Sequence, residues 1–305
     1  RERRDFSVAL FDGHGRMVAQ AAHIPVHLGS AGDAVRAVQD CLELGPGDVA
    51  LVNDPYQGGT HLPDITAVRP VFSGTGAVPA WFLVCRAHHA DVGGASPGSM
   101  ASGRDLHAEG LVLPPVLLRR AGQVNEDVLR LFLANVRAPC EREGDLRAQE
   151  ACLERMEQRI QELQKQHGGA TLQAYGGHLI DYTSRIAAAR LRELPRGVFT
   201  VADRLDGDGL GNGPFAIRLD LTLDGKCLRC DWRRSADAAP GSVNANPSIA
   251  MAAAVYGLRC LCPGRLPTNE GLFRHVEVLT RPGSLLQPHR PAPVAGGNVE
   301  TSQRL

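Results

Sequence analysis

The spacing of apolar residues predicts strands and tight loops over the first third of the chain. Apolar runs at 6–11 and 17–20 flank a turn rich in Asp and Gly, a pattern typical of a β-hairpin. Further apolar runs at 49–52, 65–72 and around Phe82 predict three more strands. Between these strands, residues 31–42 carry apolar side chains at helical spacing and predict one helix.

The middle of the chain predicts two helices. From 145 to 167 the apolar residues recur at spacings of three and four, and Gly168 and Gly169 follow as a helix end would require. Residues 171–194 repeat this spacing, with an expected buried stripe of Leu172, Tyr175, Leu179, Tyr182 and Ile186. Two such stripes across a short turn predict an antiparallel pair that packs on itself and on a sheet, in preference to a groove for a partner.

Strands return after residue 194, at 198–202, 216–223 and 227–232, and a helix is expected at 247–260. This order of elements favours a mixed α+β fold. We expect a strand-and-loop N-terminal region that carries the site (1–143), a helical hairpin (144–194) and a β-rich C-terminal region (195–305).

Composition narrows the classes of partner. The 305 residues include 33 Lys and Arg against 33 Asp and Glu, so no surplus of positive charge exists to bind a nucleic-acid backbone. No apolar run approaches the roughly 18 residues of a membrane-spanning helix. We therefore expect neither nucleic acid nor membrane as a partner. The first residue is Arg1 rather than Met, and we expect the chain to be part of a longer protein.

The eight cysteines are scattered, which favours reduced thiols and a cytoplasmic location. A zinc site is an alternative for Cys227, Cys230, Cys260 and Cys262. The first pair lies in a strand-like segment rather than a tight turn, so thiols buried in the core are the favoured interpretation.

Two Gly-flanked segments, 53–64 and 87–94, hold the densest set of chemically capable residues. Each joins a His to an Asp three residues later: His61 with Asp64, and His88 with Asp91. Imidazole and carboxylate groups on loops at strand ends are suited to a divalent metal, and His61, Asp64 and His88 are the candidate set of three ligands. The alternative is a group of hydrogen-bonded core histidines and carboxylates that cap backbone N–H groups.

For two other candidate site residues, the sequence leaves more than one chemical role open. His27 follows a Pro and is a candidate acid or base, whereas Asp5 is either an ion-paired structural acid or a further ligand. The glycines of 93–99 lack the spacing of a phosphate-binding loop, and Ser99 and Ser302 have no evident base partner. The chain is therefore expected neither to bind ATP nor to use a serine triad.

Several long motifs resemble the hydantoinase B family, which includes the C-terminal part of 5-oxoprolinase, N-methylhydantoinase subunits and the alpha subunits of acetone carboxylase. The motifs occur in one order and cover nearly the whole chain. They are Glu2–Ser7, His23–Gly29, Asn53–Asp64, His88–Gly94, Gly144–Gln149, Leu194–Gly197 and Gly296–Arg304.

The resemblance implies an A-type partner subunit that uses ATP and magnesium to phosphorylate a lactam, cyclic imide or ketone. The B-type chain would hold a divalent metal, zinc or manganese, and complete hydrolysis or carboxylation. Carried over to this sequence, the ligands are His61, Asp64 and His88, with Asp5 as a fourth and His89 as the alternative to His88. We expect His27, His89 and Asp91 to orient ligands or to move protons.

Three functions remain open from the sequence. The favoured one is a metal-dependent subunit of an ATP-dependent amidohydrolase that opens a small cyclic amide. The alternatives are a ketone carboxylase subunit and a non-catalytic scaffold for the A-type partner.

Overall fold

The computed structural model describes residues 5–21, 24–27, 29–73, 76, 78–262, 264 and 266–305. The motif residues Glu2 to Arg4, His23 and Leu28 lie outside this described part.

Seven strands form the larger sheet, in the spatial order β2-β1-β5-β4-β3-β6-β7, and every neighbouring pair is antiparallel. The predicted hairpin of the first two strands is confirmed. The strands are β1 (Phe6–Asp12), β2 (Met17–Gln20), β3 (Val49–Val52), β4 (Asp64–Phe72), β5 (Pro79–His88), β6 (Val116–Arg120) and β7 (Gln123–Val124).

A four-stranded sheet follows in the C-terminal part, in the order β11-β10-β9-β8, with only the β10–β11 pair parallel. Its strands are β8 (Gly197–Leu205), β9 (Phe215–Leu223), β10 (Leu228–Asp231) and β11 (Val276–Leu279). The first eight residues of β8 are exposed, since this strand lies at the sheet edge.

Helices cover the sheets and connect them. They are α1 (Ala31–Cys41), α2 (Leu106–Glu109), α3 (Glu126–Ala134), α4 (Pro139–His167), α5 (Gly169–Glu193), α6 (Pro247–Leu261) and α7 (Glu270–Phe273). Short 3₁₀ turns span Pro25–His27, Gly296–Asn298 and Ser302–Arg304. The predicted pair of central helices is present as α4 and α5, which contact each other on either side of Gly168.

Both faces of the large sheet are buried, which follows from the alternation of side chains along each strand. In β5, Leu83 and Cys85 face the core formed with α4 and α5, whereas Phe82 and Val84 face the core formed with α1. In strands β3, β4 and β5 most successive residues are apolar, so apolar side chains point to both faces of the sheet instead of alternating with polar ones. The sheet therefore lies between two layers of helix.

The buried face of α5 differs from the predicted stripe. Tyr175 and Tyr182 are 67% and 48% exposed. At Gly176, a Cβ atom would lie 3.4 Å from the ring of Trp81, which is an ordinary van der Waals distance. Leu172, Leu179 and Ile186 of the predicted stripe are half-buried against the cores, whereas the fully buried positions include small residues that the apolar spacing does not single out. The buried positions are Gly176, Ile180, Thr183, Ala187 and Leu191.

The fold class predicted from the sequence, α+β with a helical pair between strand-rich regions, is confirmed. The division at residues 143 and 194 stays a prediction. Buried residues of α5 contribute to the cores on both sides of it: Ile180 packs with the N-terminal sheet, and Leu191 packs with the C-terminal one. Within the described residues, no helix is both long and apolar enough to cross a membrane.

The observed face of α5 predicts a contrast between two substitutions on the same helix. Ile180→Ala removes a fully buried side chain and is expected to lower the free energy of unfolding by about 2–5 kcal/mol. Tyr182→Ala alters an exposed side chain and is expected to change it by about 0.5 kcal/mol or less. Urea unfolding of this 305-residue chain measures both. Equal losses in the free energy of unfolding for the two variants would instead support the buried stripe expected from the sequence, which includes Tyr182.

Candidate metal centre

The register of β4 and β5 brings the first two site residues together. Asp64 begins β4 and His88 ends β5, and these two residues are direct partners across the antiparallel pair. Cross-strand partners have side chains on one face of the sheet. The Nδ1 atom of His88 accordingly lies 2.9 Å from Oδ1 of Asp64.

A tight turn supplies His61. The backbone N–H of Asp64 donates to the carbonyl of His61, and Nε2 of His61 lies 2.9 Å from Oδ1 of Asp64. The loop before the turn is held by Asn246, whose side-chain N–H groups donate to the carbonyls of Pro55 and Gly59. A Cβ atom at Gly59 would lie 2.3 Å from a backbone oxygen, so glycine is required there.

Asp64 is fully buried and receives further contacts on its second oxygen. Thr60 donates its hydroxyl to Oδ2 at 2.9 Å, Nε2 of His27 lies 3.2 Å away, and Nδ2 of Asn298 donates at 3.2 Å. Burial alone would raise the pKa of the Asp64 carboxyl, but His61 and His27 hold this pKa well below its ordinary value. The carboxylate is thus ionised although its side chain is fully buried.

A buried arginine adds positive charge beside this carboxylate. Arg86 is 1% exposed and follows the same face of the sheet as His88, two residues earlier. Its Nε donates to the hydroxyl of Thr66 at 2.7 Å, and Nη1 donates to the hydroxyl of Ser30. Burial lowers the pKa of Arg86, and the negative charge of Asp64 opposes this shift.

The hydrogen bonds of His61 define what its second nitrogen can do. Its Nδ1 lies 3.1 Å from the carbonyl oxygen of Ala295, which can only accept, so Nδ1 carries the proton. In the charged ring, Nε2 also carries a proton, and this form donates to Oδ1 of Asp64 and lowers the pKa of that carboxyl. In the neutral ring, Nε2 has a lone pair that faces the ionised Oδ1 at 2.9 Å. Two lone pairs at this distance repel each other unless a proton or a cation lies between them.

The positions of His61, Asp64 and His88 satisfy the geometric requirement for a metal. One ligand atom from each of the three lies within 4.8 Å of the others, and no second group of three or more His, Cys, Asp or Glu side chains of this kind occurs among the described residues. Two ligand atoms about 2.1 Å from one ion lie roughly 3 Å apart when their bonds meet near a right angle. The contacts of 2.9 Å with Oδ1 of Asp64 match this spacing.

Asp5 lies at the open side of the cluster. Its Oδ2 is 4.0 Å from Nδ1 of His88, and its backbone carbonyl accepts the N–H of His88 at 3.0 Å. Its Oδ1 is buried and has no hydrogen-bond partner among the described residues. Asp5 thus brings an unpaired carboxylate oxygen to the neighbourhood of His88, but it lies outside the group of three whose ligand atoms are within 4.8 Å of one another.

His27 contacts the cluster, whereas His89 and Asp91 bind elsewhere. The Nδ1 of His27 accepts from the hydroxyl of Ser7 at 2.9 Å, which leaves its Nε2–H to donate to Asp64. His89 follows His88 in an extended segment and bonds Gln149 of α4 at 2.9 Å, and burial lowers its pKa. Asp91 accepts from both the backbone and the side chain of Arg137. These contacts place neither His89 nor Asp91 against Asp64.

The four cysteines considered for zinc do not form a ligand group among the described residues. Cys230 and Cys262 are buried in the core of the C-terminal region, and Cys260 is exposed. Core thiols are therefore the better interpretation for the buried two.

A cavity of about 940 Å³ opens beside His88. Cavities of this size accept small organic molecules. Its walls come from the ends of β1 and β5 and from the first turns of α4. They comprise Asp5, Phe6, Cys85, Ala87, His88, His89, Ala90, Glu141, Arg142, Gly144, Asp145, Ala148 and Gln149.

The sequence indicated no role for Glu109, which fixes the C-terminal segment against the site. Glu109 ends α2, is 3% exposed, and accepts the backbone N–H groups of Val294 and Ala295 at 3.0 and 2.9 Å. The carbonyl of Ala295 is the one that His61 contacts. Burial raises the pKa of Glu109 to about 7, and the two N–H groups partly offset this shift.

The fold and the cluster define an α+β protein with a buried His and carboxylate centre at the end of an antiparallel sheet. The family model described as Hydantoinase B/oxoprolinase matches residues 1–305. The chain belongs to the hydantoinase B/oxoprolinase family, as the resemblance of its motifs implied.

Two relatives have nearly the same sequence identity to this chain. The chain is 35% identical over 322 residues to the 5-oxoprolinase of Saccharomyces cerevisiae, covering 100% of this chain and 25% of that protein. It is 34% identical over 293 residues to the caprolactamase subunit beta of Pseudomonas jessenii, covering 95% of this chain and 50% of the relative. The chain thus spans between a quarter and a half of the length of these two relatives.

Two solved structures share the fold. The ATP-dependent caprolactamase from Pseudomonas jessenii superposes with a TM-score of 0.89 at 33% identity, over 98% of this chain and 52% of that one. A nucleotide-free acetone carboxylase superposes with a TM-score of 0.87 at 17% identity, over 96% of this chain and 41% of that one. At this lower identity the likeness concerns the fold alone.

The buried Glu109 predicts a pH dependence of stability. Because its pKa is raised in the folded state, the folded protein holds this proton more tightly than the unfolded chain. The contribution of Glu109 is therefore full below about pH 4.5 and decreases by about 3 kcal/mol as the pH rises to about 7. Glu109→Gln removes this dependence, so the stability advantage of the wild type over the variant is expected to shrink across this range.

Urea unfolding at pH 4.5, 5.5, 6.5 and 7.5 measures the difference between wild type and variant. Glu43→Gln is a control at an exposed position, where no comparable change in the difference is expected. A constant gap between wild type and Glu109→Gln at all four pH values would show that burial does not alter proton binding at this residue.

Proposed function

We propose that this chain is the metal-dependent part of an ATP-dependent amidohydrolase that opens a small cyclic amide, as 5-oxoprolinase or an N-methylhydantoinase does. The observation that carries the proposal is the set of His61, Asp64 and His88 around one point, beside a cavity of about 940 Å³. Relatives of this chain at 34–35% identity are a 5-oxoprolinase and a caprolactamase subunit. Both names denote proteins that act on lactams.

In this proposal His61, Asp64 and His88 hold a divalent zinc or manganese ion, and Asp5 is a fourth ligand. Mixed imidazole and carboxylate ligands accept either metal. When bound, the ion supplies Lewis acidity, which activates water or polarises a carbonyl group. The facing lone pairs of His61 and Asp64 and the unpaired Oδ1 of Asp5 support a cation in this place.

The other residues of the chain prepare the site rather than react themselves. The chain Ser7–His27–Asp64 holds a proton on Nε2 of His27 and directs it to Oδ2, which leaves Oδ1 for the metal. His27 is 2% exposed, so its expected role as an acid or base becomes one of orienting Asp64. His89 forms part of the cavity wall, and Asp91 fixes the loop after β5 through Arg137.

The proposed partner is an A-type subunit that binds ATP and magnesium. A ring amide resists hydrolysis because resonance weakens its carbonyl as an electrophile, and phosphorylation of the amide oxygen removes this resistance. The glycines at 93–99 lack the spacing of a phosphate-binding loop, so this chain has no motif for that step. One relative is named caprolactamase subunit beta, and a similar structure is described as an ATP-dependent caprolactamase. These names support a division of ATP binding and ring opening between two subunits.

We further propose a cytoplasmic location, where eight free cysteines stay reduced.

The ligand set predicts the result of removing His61. His61→Ala in the full-length protein is expected to weaken affinity for the metal by at least roughly 100-fold and to abolish turnover of the assembled enzyme. Loss of a residue that only contacts a ligand typically lowers metal affinity by roughly 10- to 100-fold, and loss of a ligand itself is expected to cost more. Metal content by mass spectrometry and calorimetric titration with Zn²⁺ and Mn²⁺ provide the measurement. His178→Ala, at an exposed position of α5, is the matched control. A metal-loaded, active His61→Ala enzyme would refute the site.

The choice among the three functions predicts a pattern of substrates. The full-length protein, assembled with its A-type partner and ATP, is expected to open 5-oxoproline, a hydantoin or caprolactam and to leave acetone with bicarbonate unchanged. Product analysis by chromatography separates these outcomes. Carboxylation of acetone without lactam opening would favour the ketone carboxylase. A wild-type protein that binds no stoichiometric metal would favour a scaffold.

A further inference from the structure

We infer that Asn298 is a further ligand of the proposed metal, through the oxygen of its side-chain amide. This inference rests on the proposed function, because it assumes the ion held by His61, Asp64 and His88. Asn298 lies in the 3₁₀ turn Gly296–Asn298, more than 200 residues from the other three in sequence.

The first observation is the position of the amide. Nδ2 of Asn298 lies 3.1 Å from Nε2 of His61 and 3.2 Å from Oδ2 of Asp64. These spacings are close to the 2.9 Å that separates Nε2 of His61 and Nδ1 of His88 from Oδ1 of Asp64. Atoms that share one ion at bond lengths of about 2.1 Å lie roughly 3 Å apart. The amide therefore occupies a place where an additional ligand atom would be found.

The second observation is an unpaired acceptor. Asn298 is 5% exposed, and its Oδ1 is buried without a hydrogen-bond partner among the described residues. Buried amide oxygens in proteins are nearly always paired, because an unmade hydrogen bond is costly. A half-turn of the amide exchanges Oδ1 with Nδ2 and brings the oxygen to the position beside His61 and Asp64.

That exchange is favourable only with a cation present. Without one, Oδ1 would face the ionised Oδ2 of Asp64 and the lone pair of His61, and all three groups are acceptors. The N–H₂ group faces them instead, as the structure shows. With a divalent ion held by Oδ1 of Asp64 and Nε2 of His61, the amide oxygen has a cation to face and becomes a further ligand. The amide oxygen is a hard donor of the kind that manganese accepts.

The third observation is that the backbone is built to deliver this side chain. Glu109 binds the N–H groups of Val294 and Ala295, and the N–H of Gly297 donates to the carbonyl of Ser242 at 2.9 Å. A Cβ atom at Gly297 would lie 1.8 Å from the carbonyl oxygen of Asn244. The segment is thus pressed against the protein so closely that only glycine fits, and the next residue points into the cluster.

The test compares Asn298→Ala and Asn298→Asp in the full-length protein, with Asn135→Ala and Asn135→Asp as exposed controls. Calorimetric titration of the metal-free proteins with Mn²⁺ measures affinity, and the rise in Tm on addition of Mn²⁺ measures linkage to folding. X-ray absorption counts the oxygen and nitrogen ligands of the bound ion.

Asn298→Ala is expected to weaken Mn²⁺ binding at least tenfold, to reduce the metal-dependent rise in Tm, and to lose one oxygen ligand. Asn298→Asp keeps an oxygen and adds a negative charge beside Asp64. It is therefore expected to bind Mn²⁺ at least as tightly as the wild type, with a larger rise in Tm, because the metal-free protein carries unrelieved repulsion. A residue with a merely structural role would not produce this opposite response of the two variants.

Several results would overturn the inference. A folded Asn298→Ala protein with wild-type affinity and ligand count would do so, as would a rise in KM alone, which would place the amide against the substrate. If the alanine variant does not fold, weaker Mn²⁺ binding by Asn298→Asp than by the wild type decides against it. Loss of metal in His61→Ala together with normal binding in Asn298→Ala would reject this ligand alone. Retention of metal in His61→Ala would reject the proposed function.

Discussion

The register between β4 and β5 is the constraint on which the rest of the site depends. It makes Asp64 and His88 direct partners at the end of an antiparallel pair, and a shift of one strand by one residue would leave the two side chains on opposite faces of the sheet. The register is itself fixed by burial on both faces of the sheet, where Leu83 and Cys85 meet one layer of helices and Phe82 and Val84 meet the other. The core therefore determines the geometry of the site.

Placing a carboxylate in this interior requires positive charge around it. Arg86 lies on the same face as Asp64 and makes its hydrogen bonds to neutral oxygens, so its charge is not cancelled by a close carboxylate among the partners described above. His27 and His61 lower the pKa of Asp64 at short range. The carboxylate stays ionised, and ionised carboxylates are the form that binds metals. The arrangement thus favours a ligand over a buried neutral acid.

The sequence was informative where local spacing determines geometry. His61 and Asp64 are three residues apart in one turn, and strand alternation distinguishes His88, which faces Asp64, from His89, which bonds Gln149. It was uninformative where contacts join distant segments. Tyr175 and Tyr182 resemble core residues in a helical stripe, but they are exposed, and the buried face of α5 includes the small residues Gly176 and Ala187. Asn298 follows two glycines in a recognised motif, and only the folded chain shows that these glycines bring it to His61.

The contact of His61 with Ala295 closes a loop of 234 residues, and this separation has a consequence for how the protein matures. During synthesis the segment that orients His61 leaves the ribosome more than 200 residues after the imidazoles and the carboxylate. Contacts between such distant residues form late, because much chain entropy is lost before they are gained. A nascent chain would thus hold the proposed ion weakly until this later segment docks, and tight capture of the ion would mark the docking of that segment.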